Sequence, residues 1–154
     1  MKSVDPYLNF NGNTEEVFTF YRSVFGGELQ LARFSDMDTG DMELTEEQKN
    51  GVAHVALPLG DSTLMGSDVP EAMGTVTAGT NFAISIDADS AEEADRVFDG
   101  LSEGGEVSMP LGKVEWAERF GMCTDKYGVQ WMIGYTGTWY SAHPDHSSCR
   151  SVPG

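Results

Sequence analysis

Basic residues are scarce in this chain. Nine Lys and Arg stand against 25 Asp and Glu over 154 residues, a formal net charge of −16 and a sequence pI near 4.2. Such a surface repels nucleic acid and anionic membrane, so both are excluded as expected partners; the charge suits either a heavily solvated surface or a cationic partner. Cysteine is nearly absent as well. Cys123 and Cys149 make no disulfide framework, and the start MKSVDPYLNF has no apolar leader core, which together give a cytoplasmic expectation. No apolar run approaches the roughly 18 residues that a membrane span requires. Histidine is limited to three residues, too few for an obvious metal cluster.

What is present is a globular composition, 40% hydrophobic and 10% aromatic, arranged as a weak internal repeat. NTEEVFTFYRSVFGGE at 13–28 answers SAEEADRVFDGLSEGGE at 90–106. Asn13 and Ser90 each precede a glutamate by three residues, Glu16 and Glu93, the spacing of a capping box, and both segments end at a Gly-Gly pair. The spacing predicts helices near 13–26 and 90–104. Val17, Phe20, Tyr21, Val24 and Phe25 form the apolar stripe of the first, and Ala94, Val97, Phe98 and Leu101 that of the second.

Strand patterns surround both helices. YLNF (7–10) and NFAISI (81–86) precede them; Leu29–Phe34, Val52–Leu57 and Thr63–Ser67 follow the first, and Glu106–Met109, Arg119–Thr124 and Val129–Ile133 follow the second. Each half reads βαβββ. The acidic stretch 35–51 reads as a loop, and 67–80 as the connection between halves. DKYGVQWMIG (125–134) reads as a tight turn, with Gly128 free to take positive φ, feeding the last strand.

A duplicated βαβββ unit carrying PYLNFNGNTEEVFTFYRSVFGGE, LMGSD, LSEGGEVSMPL and FGMCTDKYGVQWM resembles the PhnB-like branch of the vicinal oxygen chelate superfamily, also called glyoxalase/bleomycin-resistance/dioxygenase. These motifs run in order to about Tyr135. The resemblance implies an α+β fold: two βαβββ modules, about 1–70 and 78–137, forming a cup-shaped mixed sheet with helices on the convex side. Residues 138–154 are then a C-terminal tail. It also implies a homodimer. Some PhnB-like sequences carry a 3-demethylubiquinone methyltransferase label, but no glycine-rich loop of the kind that holds an adenosyl cofactor follows the first strand here, and no cofactor is expected.

In the superfamily the cup often holds a divalent metal, with ligands from the first and last strand of each unit. The resemblance places those positions near Asp5 or Tyr7, Met65, Asn81 and Met132. Two thioethers and a neutral amide are poor donors for Zn²⁺, Ni²⁺ or Fe²⁺, so no metal site is expected. Strand alternation turns Phe82, Ile84 and Ile86 toward the helix, and Asp5, Tyr7, Asn9, His54, Met65, Asn81, Gln130 and Met132 toward the cup. With Trp116, Phe120 and Met122 the apolar members could line a pocket for a small organic molecule; ordinary core or a dimer interface explains them equally well.

Three functions follow in order of preference. The first is a metal-free small-molecule binder. The second is an enzyme of the glyoxalase/dioxygenase type, using His54 with Asp5 or Tyr7 as acid–base groups or an irregular metal site. The third is an inert dimeric scaffold. HPDHSSC, with His143, His146 and Cys149, reads as surface tail, and Cys123 as a small buried hydrophobe.

Overall fold

The computed structural model describes residues 1–37 and 43–137. The chain forms two compact units, one spanning Met1–Ala78 and a second beginning at Gly79. In the first, the elements are β1 (Tyr7–Phe10), α1 (Thr14–Phe25), β2 (Gln30–Arg33), α2 (Glu46–Lys49), β3 (Val52–Leu59) and β4 (Ser62–Asp68). In the second they are β5 (Ile84–Asp87), α3 (Ala91–Ser102), β6 (Glu106–Val114), β7 (Ala117–Thr124) and β8 (Gln130–Tyr135). The class is α+β. Each unit carries its own four-stranded mixed sheet, ordered β1-β4-β3-β2 and β5-β8-β7-β6, and neither sheet closes into a barrel. In both, the first strand runs parallel to the last, and the remaining pairings are antiparallel.

Alternation decides which face meets the helix. Leu8 and Phe10 of β1, Val55 and Leu57 of β3 and Leu64 of β4 are buried, as are Val17, Phe18, Tyr21 and Val24 of α1. Removing each such side chain from water stabilises the unit by roughly 1.5–3 kcal/mol. Val17, Tyr21 and Val24 of the expected helix stripe are buried, but Phe18 is fully buried in addition, whereas Phe20 and Phe25 are only half-buried. Gly66 explains the fit, because a Cβ there would lie 2.7 Å from the Leu8 carbonyl and 2.8 Å from the Phe18 ring. In the second unit Ala94, Val97, Phe98 and Leu101 of α3 are buried as expected, along with Trp131, Ile133 and Cys123 of its sheet.

Several expectations are corrected. Asn13 makes no side-chain cap; the buried Asp68, at the end of β4, accepts from Thr14 N (3.0 Å) and Thr14 Oγ1 (2.6 Å), and its other oxygen accepts from Val52 N (2.8 Å). One carboxylate from a neighbouring strand thus caps α1 and fastens the start of β3. Ser90 does cap α3, accepting from Glu93 N, while Glu93 reaches back to Asp89 N. That helix ends at Ser102, short of its Gly-Gly pair, with Glu103 as its C-cap. The acidic loop contains the short helix α2, closed by a capping box between Thr45 and Gln48. The strand expected at 81–86 starts only at Ile84, so Phe82 is 57% exposed rather than turned to the helix, and Asn81 lies outside the ladder. The tail with His143, His146 and Cys149 lies outside the described residues.

Candidate functional site

The open face of the first sheet is built from rows of directly paired residues. Tyr7 pairs with Met65, Met65 with Ala56, and Ala56 with Gln30. In the next row Asn9 pairs with Ser67 and His54 with Ala32. Tyr7 and His54 meet across this face: the phenol oxygen is 3.2 Å from His54 Nδ1, and the rings are 5.8 Å apart at 31°. When the phenol donates to Nδ1 the neutral imidazole carries its proton on Nε2, and when Nδ1 carries the proton it donates to the phenol oxygen, so in either tautomer the contact orients the ring. Ser67 Oγ lies 3.5 Å from Asn9 Oδ1, a long contact that leaves both groups available.

Asp5 plays a different part from the one its position suggests. It precedes β1 and accepts from Ser3 Oγ (2.6 Å) and Thr63 N (3.1 Å), fastening the start of β4. The Ser3 hydroxyl, and then the Thr63 amide, hold its carboxyl below the ordinary aspartate range. His54 meets Tyr7 instead.

The open face of the second sheet is dominated by sulfur. Ser85 pairs with Met132, Met132 with Met122, and Met122 with Met109, so three thioethers stand in one row across β8, β7 and β6. Met109 is 40% exposed and the other two are half-buried. In the next row Asp87 pairs with Gly134, Gly134 with Phe120, and Phe120 with Gly112. Trp116 sits in the β6–β7 turn, 48% exposed, edge-on to Phe120 with ring centroids 5.4 Å apart. Gln130 is committed to structure: its amide donates to the carbonyls of Phe82 (2.9 Å) and Gly79 (3.3 Å), holding the segment that enters β5. Asn81 belongs to that entering segment and is exposed.

Met109 escaped the sequence reading. Strand β6 continues through Pro110 to Val114, and its pairing with β7 shifts at three places, so counting back from the hairpin does not locate the residue opposite Met122. Ser67 was missed because serine carries no periodic signal of its own.

Among the described residues no group of three His, Cys, Asp or Glu side chains is placed to hold a metal ion. No described helix is long and apolar enough to cross a membrane. A family model described as 3-demethylubiquinone-9 3-methyltransferase matches residues 2–134. This chain belongs to that PhnB-like family. It is similar to protein YjdN of Escherichia coli K12, 31% identical over 138 residues that cover 84% of this chain and 92% of YjdN. Among solved structures, protein PA1353 from Pseudomonas aeruginosa is 40% identical, with 86% of this chain and 98% of that one covered and a TM-score of 0.72. A Bacillus cereus PhnB protein described as a putative 3-demethylubiquinone-9 3-methyltransferase is 26% identical, with 86% and 98% covered and a TM-score of 0.67. A glyoxalase/bleomycin resistance protein/dioxygenase family enzyme from Burkholderia phytofirmans shares the fold alone, at 17% identity, 86% and 99% coverage and a TM-score of 0.57. The PhnB-like chain therefore has the vicinal oxygen chelate fold.

Proposed function

We propose that this PhnB-like protein binds a small organic molecule and does so without the divalent metal held by many proteins of its superfamily. The observation that carries the reading is the row Met132–Met122–Met109 on the open face of the second sheet. Thioethers on flexible, unbranched stems reshape to fit varied apolar surfaces, and three in register form a soft floor that no packing against α3 requires. The residues at the superfamily's metal-ligand positions do not fit the ion. Met65 and Met132 are thioethers, Asn81 is a neutral amide, and Asp5 is engaged by Ser3 and Thr63.

Equilibrium dialysis against a panel of apolar organic compounds tests this, with wild type and Met132→Glu compared. Binding should weaken about tenfold or more in the variant, because a charged carboxylate must be desolvated when an apolar ligand arrives. No binding by any compound would leave the inert scaffold as the better account.

One observation favours a second reading. The Tyr7–His54 contact is the arrangement an acid–base pair needs, an imidazole oriented by a hydroxyl on an accessible sheet face. In that reading the chain is an enzyme of the glyoxalase/dioxygenase type. Turnover lost in both His54→Ala and Tyr7→Phe would distinguish it from binding alone. A homodimer in the cytoplasm, with its cysteines reduced, completes the proposal.

A further inference from the structure

Two glycines on the open face of the second sheet are not required by the fold. Gly121 shows what a required glycine looks like: a Cβ there would lie 2.8 Å from Leu111 Cα and 2.9 Å from the Phe98 ring. At Gly112 a Cβ would meet nothing within 4 Å. At Gly134 the nearest atoms would be the Arg119 carbonyl at 3.6 Å and Phe120 Cδ2 at 3.7 Å, ordinary van der Waals contact. Neither residue has positive φ. Glycine in a strand interior gives up conformational entropy and side-chain packing, and where the backbone does not need it, it marks a place kept clear for something else. Both glycines pair with the same residue, Phe120, one from each side.

The result is an aromatic ring that leans toward Gly134 and has cleared backbone beside it at Gly112. Adjacent strands are roughly 4.8 Å apart, so the lane from Gly112 across Phe120 to Gly134 spans about 10 Å, the scale of a fused two-ring system lying flat. Met122 and Met132 occupy the neighbouring row, and Trp116 closes one side edge-on to Phe120. The charge around the lane is negative. Residues 79–137 contain eleven Asp and Glu against four Lys and Arg. Exposed Asp87 ends the row beside Gly134, and Glu118 shares the Phe120 face by alternation. Arg119 alternates to the other side, where its Nε is 3.1 Å from Asp95 on α3. Aromatic faces attract cations, and an acidic surround concentrates them.

We propose that the Gly112–Phe120–Gly134 lane seats a planar aromatic cation, its ring system stacked at Phe120 and flanked by the Met122 and Met132 thioethers. The proposal rests on the ligand-binding reading above and names the chemical class of the ligand.

Equilibrium dialysis of the full chain at low salt with four probes tests it: N-methylquinolinium (flat cation), quinoline (flat, neutral at pH 8), 2-naphthoate (flat anion) and N,N-dimethyldecahydroquinolinium (puckered cation). The flat cation should bind about tenfold or more tighter than either the puckered cation or the anion, with quinoline between. Gly112→Val and Gly134→Val fill the lane and should each weaken N-methylquinolinium binding about tenfold, with Tm unchanged or raised. If either valine lowers Tm, the alanine variants carry the test, since the backbone has room for one methyl. Phe120→Leu should weaken binding to a similar degree. Equal binding of the puckered cation, or indifference to both glycine variants, overturns the proposal. If in that case neutral quinoline still binds and Met132→Glu weakens it, the organic-ligand reading stands and only the planar-cation class falls. If no probe binds at millimolar concentration, the planar-cation proposal falls, and the panel of apolar compounds decides the organic-ligand reading separately.

Discussion

Asp125 accepts the indole N–H of Trp131 at 2.8 Å, joining the turn before β8 to the most voluminous fully buried side chain among the described residues. The same carboxylate accepts from Tyr127 N at 2.9 Å and Val129 N at 3.1 Å, and Gly128 completes the turn at φ 91°. One buried side chain therefore satisfies two buried donors, the Trp131 indole and Val129 N, and the part-buried Tyr127 N. Asp125→Ala should cost about 2–4 kcal/mol in urea unfolding, because the orphaned N–H groups lose their acceptor without regaining solvent. Asp125→Asn, which keeps an acceptor oxygen but loses the charge, should cost about half as much. A loss below about 1 kcal/mol in the alanine variant would show that the turn is held by other contacts.

The cap of α1 offers a sharper contrast, since sequence and structure name different residues. Asp68 binds both polar hydrogens of Thr14 and the amide of Val52, whereas the Asn13 side chain caps nothing. Asp68→Ala should destabilise the protein by about 2–3 kcal/mol, while Asn13→Ala should change it by less than about 0.5 kcal/mol. Comparable effects of the two substitutions would return the cap to Asn13.

These two carboxylates show where reading the sequence succeeds and where it stops. The repeat, the helices and the order of the strands are written in local periodicity, and so is the face on which Tyr7, Asn9, Met65 and Met132 stand. The acceptor for Thr14 lies 54 residues away, and no local pattern can announce a cap that arrives from another strand. Phe82 was misread because its alternation with Ile84 and Ile86 continues past the point where the ladder begins. Alternation predicts a side only while a strand lasts. Met109 fell to bulges, which shift the side-chain count without changing composition. The Tyr7–His54 contact lay between: both residues were assigned to one face, but only the pairing of β1 with β4 and of β4 with β3 brings them together.

Cys123 is buried, and burial, reinforced by the nearby Asp125 carboxylate, pushes its thiol up to about 11. At neutral pH it is protonated and a poor nucleophile. In a Cys149→Ser background, a disulfide reagent such as dithionitrobenzoate should leave Cys123 unmodified at pH 8 until the protein is unfolded. The sign of the pH dependence follows from linkage. An unfolded thiol ionises near 8.5 while the folded one holds its proton to about 11, so between those values the unfolded state binds fewer protons and stability falls as pH rises. Cys123→Ala should flatten that alkaline decline. Rapid native labelling at pH 8 would contradict the burial.

Self-association should depend on salt. A net charge of −16 opposes the approach of two copies at low ionic strength, while an apolar interface gains nothing from dilution of the salt. Strand β6 is an edge of its sheet, and Glu106–Pro110 along it are all exposed, with Val107 at 44%. Such an edge is open to pairing. Sedimentation should show a dimer whose affinity increases from about 20 mM to about 500 mM salt, as screening relieves the repulsion. A monomer at both concentrations would remove the homodimer from the proposal.

Metal content is the most discriminating measurement on the proposed function. A tight Zn²⁺, Ni²⁺ or Fe²⁺ site needs several basic donors converging at about 2.0–2.3 Å. Of the positions that the family resemblance implies as ligands, Met65 and Met132 offer thioethers and Asn81 an amide from a segment outside the β5 ladder. Asp5 is held by Ser3 and Thr63, and His54 Nδ1 faces the Tyr7 hydroxyl, which leaves Nε2 as the one free imidazole donor of that pair. Protein purified gently and without chelator should therefore carry well under one equivalent of any transition metal by elemental analysis. Added Zn²⁺ should give no saturable increase in Tm, since an ion that binds only weakly stabilises little at moderate concentration. One equivalent of zinc, nickel, iron or manganese per chain, lost in His54→Ala, would overturn the metal-free reading. It would move the Tyr7–His54 pair from a lining of the open face to the centre of an enzyme.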